Sequence, residues 1–397
     1  MPLSIDGKEK DGTMALKNGR NRESKIRHSF FPYPKTDGWL NQKRLVGMAC
    51  LGIGLYALSL FFGTDAALTK EMRTASHLME KALVSIRDCR LSRGIVVEET
   101  RDINRTGLIG RESSSITTSV GQLEAKRTTT NPNFAGLLVY LLSQAGVKKG
   151  DVIAVGASGS FPALLVATLC ASRTLELEPV VFLSLGASQW GANLAEFHAL
   201  DMWRCLGKSG IVTFKPAALS LGGVQDVGLD MLPEGRRILT EALETSGVPV
   251  FRDINLERNV AERMRLYVQS AGGRPIKAFV NIGGSWANLG TDSVILEVKP
   301  GLSRRVPLPP VERRGVIQAM AARGIPVIHC LFIRGLAAEF GLPWDPKPLP
   351  PAGRGALYRM PNGRGTVFIV PGIVYLLVVL LWIGLEFRSR KQVLIYS

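Results

Sequence analysis

Two long uncharged stretches, Leu45 to Phe62 (LVGMACLGIGLYALSLFF) and Thr366 to Leu385 (TVFIVPGIVYLLVVLLWIGL), bracket the body of this 397-residue chain. At helical rise the first reaches about 27 Å, close to a hydrocarbon core of roughly 30 Å, and reads as a membrane helix. The 44 residues ahead of it are too many for the leading region of a signal peptide, and no A-x-A site follows. The second stretch tolerates Pro371 in its first turns and carries Trp382 near one interface. Residues 1–44 hold ten Lys or Arg, so the positive-inside bias places that end in the cytoplasm, and two spans return Arg388, Arg390 and Lys391 to the same side. The expected organisation is a basic cytoplasmic segment (1–44), a first span (45–62), an α/β domain opening on a stalk helix (66–342), a Pro/Gly/Arg-rich tether (343–365), a second span (366–385) and a cytoplasmic tail (386–397). The expected location is the inner or plasma membrane, two-pass, with the large domain extracytoplasmic.

Composition narrows the function classes. With 46% hydrophobic and 21% charged residues the chain is not an acidic or low-complexity disordered protein. Five cysteines are too few for a disulfide framework, and no pair has C-x-x-C spacing, so neither a metal nor another cofactor is expected. A formal charge of +16 favours anionic neighbours. Nucleic acid is not expected among them: basic residues are dispersed, aromatics are 7%, and no helix-turn-helix, zinc-finger or aromatic RNA-binding signature is present.

Between the stretches, short apolar runs alternate with amphipathic segments. Residues 66–91 space Leu68, Met72, Leu78, Met79, Leu83 and Ile86 as a helix that packs back on the domain. The runs expected as strands are 95–97, 152–155, 179–185, 211–214, 248–251, 276–282 and 325–333. The helical segments are 132–146, 162–175, 194–208, 233–246, 256–271 and 311–323. Repeated β then α with nearly all-apolar strands predicts a parallel, Rossmann-like, doubly wound sheet covered on both faces.

In such sheets ligands bind beyond the carboxyl ends of strands, which singles out the loops that follow the runs. The run 152–155 opens into Gly156-Ala157-Ser158-Gly159-Ser160, and the run 179–185 into a loop holding Ser188, Gln189 and Asn193. The run 276–282 contributes Asn281, then Ser285 and Asn288, and the last run contains His329 and leads to Arg334. Small residues let a ligand approach backbone N–H groups, and a helix N-terminus favours negative charge, so a carboxylate or phosphate suits these loops. Lys126 and Arg127, ahead of the helix at 132, add two cations for the same purpose. Neither G-x-x-x-x-G-K-[ST] nor G-x-G-x-x-G is present, which disfavours a nucleotide. The first loop is a partial nucleophile elbow, with serine where G-x-S-x-G has its last glycine. Ser158, an acid such as Asp201 or Asp226, and His329 follow the chain order of one hydrolase class. The same Gly and Ser residues also serve as tight turns, and His329 also fits a hydrogen-bonded core position.

Five phrases carry a family resemblance: SSITTSVGQLEAKRTTTNPNFAGLL (113–138), VIAVGASGSFPALLVATL (152–169), SLGASQWGAN (184–193), IKAFVNIGGSWANLG (276–290) and GIPVIHCLFIRGLAAEFGLPWDP (324–346). Together, across roughly residues 66 to 350, they resemble the poly-gamma-glutamate system protein family. The resemblance implies an accessory component of bacterial poly-γ-glutamate synthesis or export. Its implied partners are the polymer or another anionic polymer, the membrane components of the synthase, and the lipid bilayer. It brings no catalytic residues with it. The alternative is an extracytoplasmic serine hydrolase or acyltransferase acting on the polymer or another cell-envelope substrate, with Ser158 and His329 as its catalytic pair.

Overall fold

The structure, a computed structural model, describes residues 42–62, 66–360 and 366–395, with side chains at 45–57, 67–360 and 371–385. It divides into two units, Met1–Ile53 and Gly54–Ser397. Of the first, the described part is the opening of helix α1 (Gln42–Phe62).

The two expected spans are overturned: among the described residues no helix is long and apolar enough to cross a membrane. The two-pass membrane location and the extracytoplasmic sidedness fall with the spans. Residues 1–41, 63–65, 361–365 and 396–397, and the side chains of 42–44, 58–62, 66, 366–370 and 386–395, lie outside the described residues.

The second unit runs through α2 (Ala66–Ser92), α3 (Leu123–Thr129), α4 (Asn133–Ala145), β1 (Val152–Ser158), α5 (Pro162–Thr174) and β2 (Glu178–Ser184). A two-residue hairpin, β3 (Asn193–Leu194) with β4 (Phe197–His198), leads into α6 (Ala199–Lys208) and β5 (Ala218–Ser220). There follow α7 (Pro233–Glu244), β6 (Val250–Phe251), α8 (Leu256–Ser270), β7 (Ile276–Ile282), α9 (Trp286–Leu289), β8 (Gly301–Ser303), α10 (Val316–Ala322), β9 (Val327–Cys330), α11 (Ile333–Glu339) and α12 (Thr366–Ile395).

Seven strands form one sheet in the order β6-β5-β2-β1-β7-β9-β8. All neighbours are parallel except β8, which runs antiparallel to β9. The alternation of side chains along each strand feeds two cores. Ile153, Val155 and Ala157 of β1 face one core with α2, α4 and α5, whereas Val152 and Ala154 face the other with α8 and α10. This is the doubly wound α/β arrangement. The second core centres on Tyr267, which stacks on Phe182 at 3.6 Å and donates its hydroxyl to the Val155 carbonyl at 2.9 Å.

Helix α2 buries Leu68, Met72, Met79, Leu83 and Ile86, and a disulfide joins its Cys89 to Cys205 of α6. Helix α4 ends on Gly146 at φ +87°, and the Asn131 side chain accepts the Asn133 N–H at its start.

Three expectations about the elements fail for local reasons. Residues 95–97 form no strand, because the Arg90 guanidinium takes the Val96 carbonyl at 2.8 Å. Residues 211–214 form none either; Trp203 donates to the Phe214 carbonyl at 3.0 Å. The segment 343–360 is no free tether. Arg127 holds Asp345, Asn104 donates to the Pro346 carbonyl, and the buried Tyr358 hydroxyl lies 2.7 Å from Ser76 Oγ and 2.5 Å from Asn133 Oδ1. These bonds sew the segment onto α2, α3 and α4.

Candidate functional site

From β1 the chain works outward through β2, β5 and β6, then returns to lay β7 on the opposite side of β1. Strand order therefore reverses between β1 and β7, the place where open α/β sheets leave a crevice beyond their carboxyl ends. A cavity of about 720 Å³ opens there, with Lys126, Ser158, Ser160, Ser188, Ser285 and Arg334 in its wall.

Close backbone approach shapes the crevice. Gly159 donates its N–H to the carbonyls of Ser184 and Gly186, and a Cβ on it would sit 2.7 Å from the Leu185 carbonyl oxygen. Gly283 takes φ +82°, and a Cβ there would come within 2.6 Å of Ser158 Oγ. Only glycine meets both demands at that position.

Lys126 is the site's central group. Helix α3 turns it inward, leaving it 3% exposed, with the ammonium nitrogen 3.7 Å from the centre of the Phe161 ring. Its Nζ donates to the Ser160 carbonyl at 2.5 Å and to Ser188 Oγ at 2.7 Å. Among the described residues no carboxylate pairs with it, and burial alone pulls its pKa down to about 7. Around it the serines are arranged in a chain: Ser160 Oγ accepts the Ser188 N–H at 3.0 Å, so both loops are locked to the lysine. Ser158 Oγ is buried and has no hydrogen-bond partner among the described residues. Helix α5 begins at Pro162, directly after the lining residue Phe161, with no side chain capping it, so the positive end of its dipole lies at the cavity. Arg334 is exposed on the wall and stands over Trp344; Asp230 is the lining carboxylate, and it accepts the Val224 N–H.

Six of the expected site residues, Lys126, Ser158, Ser160, Ser188, Ser285 and Arg334, line the cavity. Others have structural duties. Arg127 points the other way and binds Asp345 through two nitrogens, at 2.7 and 2.5 Å. Gln189 Oε1 accepts the Gly121 N–H, and Asn193 braces the Arg111 backbone and Thr117. Asn288 donates to Asn281 Oδ1, and Asn281 donates to the Gly283 carbonyl and to His329 Nδ1 at 3.0 Å, a buried chain behind the cavity.

The expected Ser158–His329 pair is not formed. Strand β7 separates β1 from β9, Ser158 Oγ has no partner, and the Asn281 amide occupies His329 Nδ1. Burial holds that imidazole at a pKa of about 4. Neither acid reaches it. Asp201 is bound by Arg93 and His198, and Asp226 by Arg263, Asn259 and Ser220.

Sequence reasoning missed the contribution of Thr118 to Gln122, Asp230, Trp286 and Phe332 to the wall, and above all the pairing of Lys126 with Ser188. The two are 62 positions apart on different elements, and no local pattern links them. Among the described residues no three His, Cys, Asp or Glu side chains are grouped to hold a metal ion. Comparison with family models, with curated proteins and with solved structures finds no match.

Proposed function

We propose that the switch-point cavity binds a carboxylate-bearing chain, and that the protein is an accessory component of poly-γ-glutamate synthesis or export that handles the polymer alongside the synthase. The observation that carries the binding reading is Lys126, a buried amine with hydroxyl and carbonyl neighbours but no carboxylate of its own. A buried charge is costly without a partner, and an incoming carboxylate supplies one. Ser158, with an unfilled hydroxyl, the N-terminus of α5 and Arg334 add donors around the same volume. The formal charge of +16 favours the approach of such a polyanion. The polymer's identity rests on the resemblance of the five phrases, in particular on the segments that hold Lys126, Ser158, Ser188 and Ser285.

The test is equilibrium binding of a fluorescent γ-glutamyl oligomer to the full chain. Saturable binding that weakens as salt rises, and weakens again in Lys126→Met and Arg334→Ala, is expected. No saturable binding at low salt removes the reading.

A further inference from the structure

We propose that Ser188 and Lys126 form a serine–lysine dyad, nucleophile and general base for acyl transfer at an amide or ester bond of a carboxylate-bearing substrate. The proposal takes its substrate class from the carboxylate-binding reading and its chemistry from geometry independent of that reading.

A serine hydroxyl becomes a nucleophile when a base within hydrogen-bond reach takes its proton. Lys126 Nζ lies 2.7 Å from Ser188 Oγ and is that hydroxyl's side-chain partner among the described residues. When the amine is charged it donates to Oγ. When it is neutral its lone pair faces the Ser188 proton while one N–H still donates to the Ser160 carbonyl. The surroundings bring the neutral form within reach near neutrality: the Phe161 ring covers the nitrogen, no carboxylate among the described residues pairs with it, and burial brings its pKa to about 7. An amine that loses its proton near neutrality suits general-base work. The nucleophile is also held in place. Ser188 N–H is bound to Ser160 Oγ, and Gln189 N–H to the Ser119 carbonyl. Ser188 and Lys126 both line the cavity, as do Ser158 and Ser285.

The step balances with water as co-reactant. Ser188 Oγ bonds to the acyl carbon as its proton passes to Lys126 Nζ and the carbonyl electron pair moves to oxygen. The carbonyl re-forms, the C–N or C–O bond breaks, and the leaving nitrogen or oxygen takes the proton from Nζ. Water then attacks the acyl-serine, giving a proton to Nζ, and Ser188 departs with it. The products are a carboxylic acid and an amine or alcohol.

The experiment treats the full chain with a fluorophosphonate probe and maps the modified residue by mass spectrometry, alongside the oligomer-binding assay on the unmodified protein. Labelling at Ser188 is expected, lost in Ser188→Ala and slowed about a hundredfold or more in Lys126→Arg, which keeps the charge but not the base. The rate should rise with pH through about 7 as Lys126 deprotonates. Glu124 on the same helix and Asp230 and Arg334 in the cavity wall are the other charged groups that tune that midpoint. Ser188→Cys, checked for folding by circular dichroism, should instead be alkylated by iodoacetamide at that position with the same lysine dependence. Labelling of another serine, or of none while Ser188→Cys is also inert, overturns the dyad. Oligomer binding with neither Ser188 labelling nor alkylation of Ser188→Cys removes the dyad and keeps the polymer reading; labelling at Ser188 without oligomer binding does the reverse.

Discussion

Breaking the Cys89–Cys205 disulfide should lower stability by an amount that its loop length sets. The bond links residues 116 positions apart, tying α2 to α6. In the chain-entropy account a closed loop of that size restricts the unfolded ensemble by about 5 kcal/mol at 25 °C. The folded body spans residues 66–360, and an unfolding entropy of about 2.1 cal/mol/K per residue makes its total about 0.6 kcal/mol/K. Dividing one by the other gives a fall in melting temperature of about 8 °C. Reductant on the wild-type chain and the Cys89→Ser/Cys205→Ser variant should agree, followed by circular dichroism at matched protein concentration. Thiol alkylation under native conditions provides the control. Cys50 is exposed, whereas burial pushes the Cys170 and Cys330 thiols up to about 12, so the thiols gained on reduction should be those of the pair. If alkylation confirms reduction and the melting temperature moves by under about 2 °C, the link between loop length and stability is refuted for this domain.

Asp226→Asn should destabilise by about 3–5 kcal/mol in urea unfolding, because Arg263 would keep a buried charge without its 2.6 Å partner; a loss under about 1 kcal/mol would show that the pair is not the anchor of α8. Folding should also weaken in mild acid. The His329 pKa is lowered from 6.5 to about 4 by burial, so between those values the unfolded chain binds a proton that the folded one refuses, and stability falls as pH drops from 6.5 to about 4. The loss is on the order of 3 kcal/mol, His198 adds to it in the same direction, and His329→Asn should flatten the pH profile over that window if the reasoning holds. Gly283→Ala should cost about 1–2 kcal/mol for its left-handed backbone and also displace Ser158, lowering oligomer affinity; unchanged affinity would detach Ser158 from the site.

Much of the fold was legible because it depends on local periodicity. Runs such as Val152–Val155 and Val180–Leu183 are apolar on both faces, and that pattern belongs to interior parallel strands whatever their partners. The placing of Ser158, Ser188 and Ser285 at the carboxyl end of the sheet was legible for the same reason, since a strand's end is marked by its own sequence. The short strands Ala218–Ser220 and Gly301–Ser303 were not, because a three-residue element is defined by its neighbour's hydrogen bonds.

By itself the sequence determined the α/β alternation, the two-faced strands, the glycine turns and the excess of positive charge, all properties of neighbouring residues. Only the tertiary structure decided which polar groups meet. It sent Arg127 to Asp345 and Lys126 inward, gave His329 to Asn281 rather than to Ser158, and set Lys126 against Ser188. It also decided that residues 343–360 belong to the body, through bonds to α2, α3 and α4. The physical reason is range: a backbone preference is settled within a few residues, whereas a hydrogen bond across a crevice depends on where the sheet order reverses.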